Sequence, residues 1–442
     1  MAKLRVLYIC HNHPALHPGG TEIVAHELFR AMKAKRDVEA MFLGCAMAQQ
    51  RDPKPGTRFQ TVGRSADEIL LWTGHADRFF LSQLDLGGVV PDMEGLLTSF
   101  RPDVVHFHHA LMIGVEMLFL VRRVLPKAKI VFTLHDYYPI CYRDGTMLTA
   151  PDDSLCERAS HDACHRCFPS ADPWKFSLRE RHIKGMLSLV DRFVAPSRFL
   201  KQRYVEWGLE AERITVLPNG RAPVEPTPPR PLPAGGRRNV FGFFGHINLY
   251  KGANVLLDAA DALVRAGRRD FAVHLHGGML FQTDEFKERF QAKLERLAGV
   301  VSWHGLYDAA RVPELIRKVD WVVMPSVWWE NAPLVIEESF AHKRPVICSD
   351  IGGMAERVAD GMNGLHFTAG SSPALAATLA RALDEPDLWD ALRARIPATV
   401  TVAESVRRHR ALYEEEPDLP RSAEDQDVLH ALRVGKAAAA VE

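Results

Sequence analysis

Short apolar runs alternate with stretches of helical period along most of the chain. From Leu4, LRVLYIC is a continuous apolar run, and a polar loop, HNHPALHPGG, follows it. The next stretch, TEIVAHELFRAMKA, puts Ile23, Val24, Leu28, Phe29 and Met32 on one helical stripe. VEAMFLG (from Val38), DVVHFHH (from Asp103), KIVFTLHD (from Lys129), RFVAPS (from Arg192) and ITVLPNG (from Ile214) are further short strands. Continuous apolar strands between amphipathic helices predict a parallel sheet covered on both faces.

Residues 221–238, RAPVEPTPPRPLPAGGRR, break the pattern. Prolines at this density cannot build a core element, so the segment reads as a linker. The alternation then restarts. NVFGFFG, FAVHLHGG, VSWHG, VDWVVMPS and PVICSD are strands, with helices such as ANVLLDAADALVRAG between them. The organisation expected is an α/β first domain over 1–220, with a cysteine-containing insertion at 141–167. A second α/β domain follows over 239–400, then a helix and a mobile tail over 401–442. Two such domains would face each other across a cleft at the carboxyl ends of their sheets, where ligands of open α/β sheets bind.

Composition narrows the class. The 442 residues carry 55 basic and 55 acidic side chains, which argues against a dedicated nucleic-acid binder. The first residues lack the pattern of a signal peptide, and no apolar stretch is long enough to span a bilayer. A cytoplasmic location is expected, with peripheral membrane contact through Trp174, Phe176, Lys175, Arg179, Arg181 and Lys184 as one option. Cys10, Cys45 and Cys348 lie in or beside apolar runs and read as buried small hydrophobes. Cys141, Cys156, Cys164 and Cys167 have the spacing C-x14-C-x7-C-x2-C, beside His161 and His165. They are either unliganded thiols or a tetrahedral structural zinc site.

The candidate chemistry sits at strand ends. Gly19 and Gly20 close the loop after the first strand, with Thr21 as a possible helix cap, and could let backbone N–H groups approach an anion. They do not form the G-x-G-x-x-G dinucleotide fingerprint, which disfavours nicotinamide or flavin chemistry. His106, His108 and His109 end one strand, and His135 with Asp136 ends the next. In the second half, Gly245 ends a strand, His246 follows it, and Lys251 comes shortly after, a cation suited to a diphosphate. Glu330 and Glu338 flank Asn331, Ala332, Pro333, Leu334 and Val335, a loop and helix start whose N–H groups could hold phosphate or developing sugar charge. A carboxylate at Glu338 could accept two bonds from a vicinal diol such as ribose, although the adjacent Glu337 could take either role.

These segments, in this order, resemble family 4 of the retaining glycosyltransferases (glycosyl transferases group 1), from Leu4 to about Glu415. GGTE, PDVVHFHH, TLHD, VAPS, VLPNG, GHINLYKG and PSVWWENAPLVIEESFAHKRPVICSDIGGMAE each match a family motif, the last being the E-x7-E signature. The resemblance implies a GT-B architecture of two Rossmann-like domains. It implies transfer of a hexosyl or related sugar from a nucleotide diphosphate donor, with retention and without a metal, to an unknown glycan, lipid-linked or small-molecule acceptor. Lys251 would bind the diphosphate, Glu330 the donor sugar hydroxyls and Glu338 the ribose. The backbone of 332–335 would face the phosphates, and Gly19 and Gly20 would approach them from the other domain. His135, with Asp136 beside it, would lie next to the sugar. His246 stands where the family usually has arginine, and Asn331-Ala332-Pro333 replaces the commoner Pro-Phe-Gly. The alternatives on the same fold are a non-catalytic sugar-nucleotide binding protein and a sugar-nucleotide epimerase. The single D-x-D, Asp425-Gln426-Asp427, lies in the tail and carries no metal-binding expectation.

Overall fold

The computed structural model describes residues 3–63, 65–280 and 282–415. Asp425-Gln426-Asp427 and the tail beyond 415 lie outside them. The chain divides into two compact units. One takes in the described residues up to Gly220 and again from Thr401, and the other is Arg221–Val400.

The first unit carries β1 (Leu4–Cys10), α1 (Gly20–Lys33), β2 (Val38–Ala46), β3 (Phe59–Thr61), β4 (Glu68–Trp72), β5 (Ala76–Asp77), β6 (Ser82–Gln83) and α2 (Leu86–Phe100). It continues with β7 (Val104–Phe107), α3 (Glu116–Val124), β8 (Lys129–Thr133), α4 (His161–Cys167), α5 (Pro173–Leu187), β9 (Arg192–Ala195), α6 (Arg198–Trp207) and β10 (Ile214–Val216). Its main sheet has the order β10-β9-β8-β7-β1-β2-β4-β3, and only β3 runs antiparallel to its neighbour. Parallel register brings Ile9 opposite both Leu43 and Phe107, so the loops after β1 and β7 leave the same edge side by side. The strand order reverses between β1 and β7, which is where open α/β sheets form ligand crevices.

The second unit carries β11 (Val240–Phe244), α7 (Ala253–Arg265), β12 (Ala272–His276), α8 (Asp284–Arg296), β13 (Val301–Trp303), α9 (Val312–Ile316), β14 (Trp321–Met324) and α10 (Leu334–Ala341). β15 (Val346–Ser349), α11 (Gly352–Arg357), β16 (Gly364–Phe367), α12 (Ser372–Asp384) and α13 (Leu388–Ala394) complete it. The sheet is parallel throughout, in the order β13-β12-β11-β14-β15-β16. This is the doubly wound nucleotide-binding order, with its reversal between β11 and β14. One core lies between the sheet and α7, α8 and α12, and includes Phe241, Val273, Leu275, Trp321 and Leu379. The opposite face packs Phe244, Val322 and Met324 against residues of α9 and α10. Each large apolar side chain buried this way contributes about 1.5–3 kcal/mol.

Two segments behave in ways the periodicity did not disclose. The helix α14 (Val402–Glu414) returns to the first unit, where Val406, Leu412 and Tyr413 join the core formed by β1, β2 and α1. The Pro-rich segment is extended but docked on the second unit. Arg344, fully buried, donates to the carbonyl of Pro228, and Arg230 pairs with the buried Asp320 at 2.7 Å. The α5 segment corrects one expectation. Phe176 and Arg179 are buried, so they do not belong to an outward membrane face, while Trp174 is exposed. No helix among the described residues is long and apolar enough to cross a membrane.

Candidate functional site

The reversal point of the second unit gathers the residues quoted from its two motifs. Lys251 follows β11 and Glu330 follows β14, adjacent strands whose register pairs Phe241 with Trp321. The Lys251 Nζ donates to Glu330 Oε1 at 2.7 Å. The same oxygen accepts from Ser326 Oγ and from Trp328 Nε1, each at 2.8 Å. Glu330 is buried, and three converging donors offset the cost of burying its charge. Lys251 also lies over the Trp328 ring, 5.3 Å from its centre, and Trp328 stacks on Tyr250. The Val327 N–H donates to the Tyr250 carbonyl at 2.9 Å, tying the two loops together. Ser326 and Trp328 lie in the quoted motif but received no role from the sequence. Their offsets of four and two residues before Glu330 were the available signal.

Two glycines permit this arrangement. Gly252 has φ +71°, and a Cβ there would stand 1.8 Å from the Pro325 carbonyl oxygen. A Cβ on Gly353 would stand 1.8 Å from the Asn331 oxygen, and the Gly353 N–H donates to the Glu330 carbonyl at 2.7 Å. The pair Gly352–Gly353 thus lets α11 press against the Glu330 loop. The loop ends at Pro333, the N-cap of α10, so the first N–H groups of that helix lie in Leu334 and Val335, next to Glu330 in sequence. Glu337 is engaged by Arg357, whereas Glu338 accepts from Arg221 at 2.9 Å. That separates the two glutamates, which were interchangeable on sequence chemistry. Gly245, with φ +149°, follows β11, and the Lys251 N–H donates to Asn248 Oδ1 at 2.8 Å. His246 is held below its ordinary pKa by burial and by the charge of Lys251, so it is a neutral hydrogen-bonding group at neutral pH.

In the first unit the reversal point carries paired imidazoles. His11 Nε2 lies 3.1 Å from Glu22 Oε1, and His109 Nε2 lies 2.8 Å from Asp136 Oδ2. The His11 and His109 rings are 4.5 Å apart, so the two pairs form one continuous row. Burial alone would raise the Asp136 pKa. The charge and hydrogen bond of His109, with the Tyr138 N–H, instead hold it at about 2. His135 is pushed down to about 3 by burial, and its Nε2 lies 2.9 Å from His108 Nδ1. His108 Nε2 is buried without a hydrogen-bonding partner. A buried N–H without an acceptor is costly, so the His108 proton belongs on Nδ1, donated to His135. His135 then carries its own proton on Nδ1. His106 is a satisfied core residue, bonded to Tyr413 Oη and Thr133 Oγ1 at 2.7 Å each.

Gly19 is the N-cap of α1 and Gly20 its first residue, so Thr21 lies inside the helix and caps nothing. A Cβ on Gly19 would stand 2.5 Å from Glu22 Oε2, which places a buried carboxylate at the helix N-terminus where the sequence suggested room for phosphate. The row of His11, Glu22 and His109 was not singled out from sequence as a unit, because its members are distant in the chain. Nearby, His13 of the loop after β1 and His26 of α1 both contact Glu68 Oε2 of β4, at 3.2 and 2.7 Å. These are the only three His, Cys, Asp or Glu donors among the described residues within 4.8 Å of one another. The Ala15 N–H donates to His13 Nδ1, so the Nε2 of His13 bears its proton and donates to Glu68. That tautomer is wrong for a metal ligand, and the trio acts as a brace for the loop after β1.

Comparison with known proteins follows the same division. Residues 18–223 match the family model "Glycosyltransferase Family 4", and residues 238–385 match "Glycosyl transferases group 1". An α-D-kanosaminyltransferase of Streptomyces kanamyceticus is 28% identical over 157 residues, 34% of this chain and 38% of that protein. A D-inositol 3-phosphate glycosyltransferase of Nocardia farcinica is 30% identical over 221 residues, 46% of this chain and 48% of that protein. The matches therefore span half or less of these relatives' lengths. The crystal structure of Anabaena HepE in complex with UDP and glucose superposes with a TM-score of 0.61 at 17% identity, covering 93% of this chain and 100% of that one. With the two models matched in order along most of its length, this chain belongs to the family 4, group 1 glycosyltransferases and has their GT-B fold.

Proposed function

We propose that this protein transfers a sugar from a nucleoside diphosphate sugar to an acceptor, with retention of anomeric configuration and without a metal. The observation that carries the reading is the buried Glu330 carboxylate held by Lys251, Ser326 and Trp328 beside the start of α10. A cation and a row of helix N–H groups suit a diphosphate, and a fixed carboxylate suits sugar hydroxyls. An arriving diphosphate competes with Glu330 for Lys251, releasing the carboxylate to the sugar. Glu338, which accepts from Arg221, takes the ribose.

As the diphosphate leaves, negative charge builds on its oxygens, and Lys251 and the α10 N–H groups stabilise it. The sugar becomes oxocarbenium-like. The acceptor attacks from the face the diphosphate leaves, and a departing phosphate oxygen takes the acceptor proton. Within the first unit, His135 and Asp136 are the residues proposed to take part in the reaction, His135 as a neutral imidazole. HepE was solved with UDP and glucose, so uridine diphosphate sugars head the panel of donors to test.

The test is a donor panel scored by thermal shift, then mass spectrometry and anomeric NMR of the products. Lys251→Ala and Glu330→Ala should each reduce turnover about a hundredfold or more, with the fold intact. Wild-type turnover in both variants overturns the assignment, and an inverted product overturns retention.

A further inference from the structure

The row of His11, Glu22, His109 and Asp136 in the first unit differs in sign from the site of the second. There, Glu330 and Glu338 are paired with the cations Lys251 and Arg221. In the row, both carboxylates have imidazoles as their ion-pair partners. Glu22 is 2% exposed, and no donor is aligned on its Oε1 for a hydrogen bond, although His11 Nε2 stands 3.1 Å away. Contacts with the imidazoles hold Glu22 below its ordinary pKa and Asp136 at about 2, against the effect of burial, so both are charged at neutral pH. His11 is held below its ordinary pKa by burial and by His109. No three donors of the row lie within 4.8 Å of one another, nor do three sulfurs of Cys141, Cys156, Cys164 and Cys167, so neither cluster as it stands fits a metal ion.

The protons of the row are turned onto its own carboxylates. The Leu111 N–H donates to His109 Nδ1 at 2.8 Å, so the proton of that ring sits on Nε2 and is donated to Asp136 Oδ2. The buried Cys10 thiol keeps its proton and lies 3.8 Å from His11 Nδ1, which puts the His11 proton on Nε2, toward Glu22. What the row offers a ligand is therefore carboxylate lone pairs. It opens at Asp136, whose side chain is 28% exposed. The two Asp136 oxygens accept from the Tyr138 N–H and from His109, and an ionised carboxylate has about four acceptor sites. Glu22 also lies in the first turn of α1, so a carboxylate of the chain already meets the positive end of that helix. A phosphate brings acceptors and negative charge to a place that holds both. A hydroxyl or an ammonium group brings the protons that the row lacks.

We propose that the row of His11, Glu22, His109 and Asp136 is an acceptor subsite for a polyol that brings hydroxyl or ammonium donors, and that it rejects a ring carrying phosphate or carboxylate. Asp136 takes the donated hydrogen bonds, and the buried charge of Glu22 behind His11 sets the sign of the subsite. The donor diphosphate is left to the cation and helix N–H groups of the second unit. The word acceptor rests on the transferase reading above, whereas the class of group bound rests on the row alone.

The test uses the full chain with ¹⁵N-labelled histidine, so that NMR reads binding at the His11 and His109 rings themselves. Glucose, glucosamine and glucose 6-phosphate are titrated at neutral pH, one polyol in neutral, ammonium and phosphate form. The expected result is saturable shifts of both rings with glucosamine and glucose, glucosamine binding the tighter. Glucose 6-phosphate should bind more weakly than glucose by about threefold or more. That gap should narrow in Glu22→Gln or in Asp136→Asn, each of which removes one negative charge and keeps the shape. A smaller gap in the wild type, a preference for glucose over glucosamine, or no saturable shift with any of the three overturns the proposal. A gap unchanged in both folded variants overturns it as well. If neither variant folds, the wild-type order decides alone. No donor and no turnover enter these measurements. Transfer without this order of binding fails the acceptor class alone, and this order without transfer from any donor fails the transferase reading alone.

Discussion

Glu330 concentrates three donors on one oxygen, and they differ in kind. Lys251 brings charge, Ser326 brings a short hydroxyl, and Trp328 brings both an N–H and an aromatic face beneath the Lys251 ammonium. Trp328→Phe keeps a ring under the cation but deletes the bond to the carboxylate. A hydrogen bond to a charged group contributes about 1.5–3 kcal/mol, so turnover should fall roughly tenfold to a hundredfold. Steady-state kinetics with the best donor checks this, and unchanged kcat and KM would show that Trp328 only packs. The glutamates were legible from sequence as a motif, and Lys251 as a cation in the earlier loop, but not the direct bond between Lys251 and Glu330. What stayed illegible was the role of each neighbour. Glu337 and Glu338 have the same chemistry, and only the positions of Arg357 and Arg221 separate them.

At the scale of elements, the site depends on loops allowed to approach closer than any side chain would permit. The contact between α11 and the Glu330 loop is the tightest example. Gly353→Ala puts a methyl group against the Asn331 carbonyl, so the loop must move and carry Glu330 with it. Overpacking of this kind costs about 1–3 kcal/mol. The expected outcome is a modest drop in melting temperature and loss of donor binding, measured by calorimetry. Donor affinity equal to wild type would mean that the loop tolerates the displacement. The strands and helices themselves were readable, because buried parallel strands are continuous apolar runs and their covering helices keep a 3.6-residue stripe. The role of α14 was not. Its apolar positions show that it is amphipathic, but the bond from Tyr413 to His106 joins residues 307 positions apart.

For the whole molecule, the buried imidazoles set the response to acid. His135 is held at about 3, and His276 and His409 at about 4, below the ordinary 6.5. His106 and His108 are lowered still more firmly by burial. As pH falls below 6.5 the unfolded chain takes up protons that the folded chain refuses, so stability falls. That loss continues to about pH 4 and 3, where the folded groups protonate. Asp136 acts in a lower window: its contribution is present above 3.8 and disappears as pH approaches 2. Melting temperature should therefore drop from pH 7.5 to pH 5, by an amount reflecting on the order of several kcal/mol. A melting temperature that stays constant over that interval would mean these histidines open to solvent at little cost. The sequence by itself determined the alternation of strands and helices, the Pro-rich break, the family motifs and the positions of the reactive residues at strand ends. These are local patterns, set by the chain's own period and by the geometry of its glycines and prolines. Tertiary structure alone decided that α14 closes the first unit, that the Pro-rich segment docks on Arg344 and Asp320, and that Glu22, His11, His109 and Asp136 form one row. Each of these joins residues far apart in sequence, and burial and charge pairing across such distances leave no periodic trace in the chain.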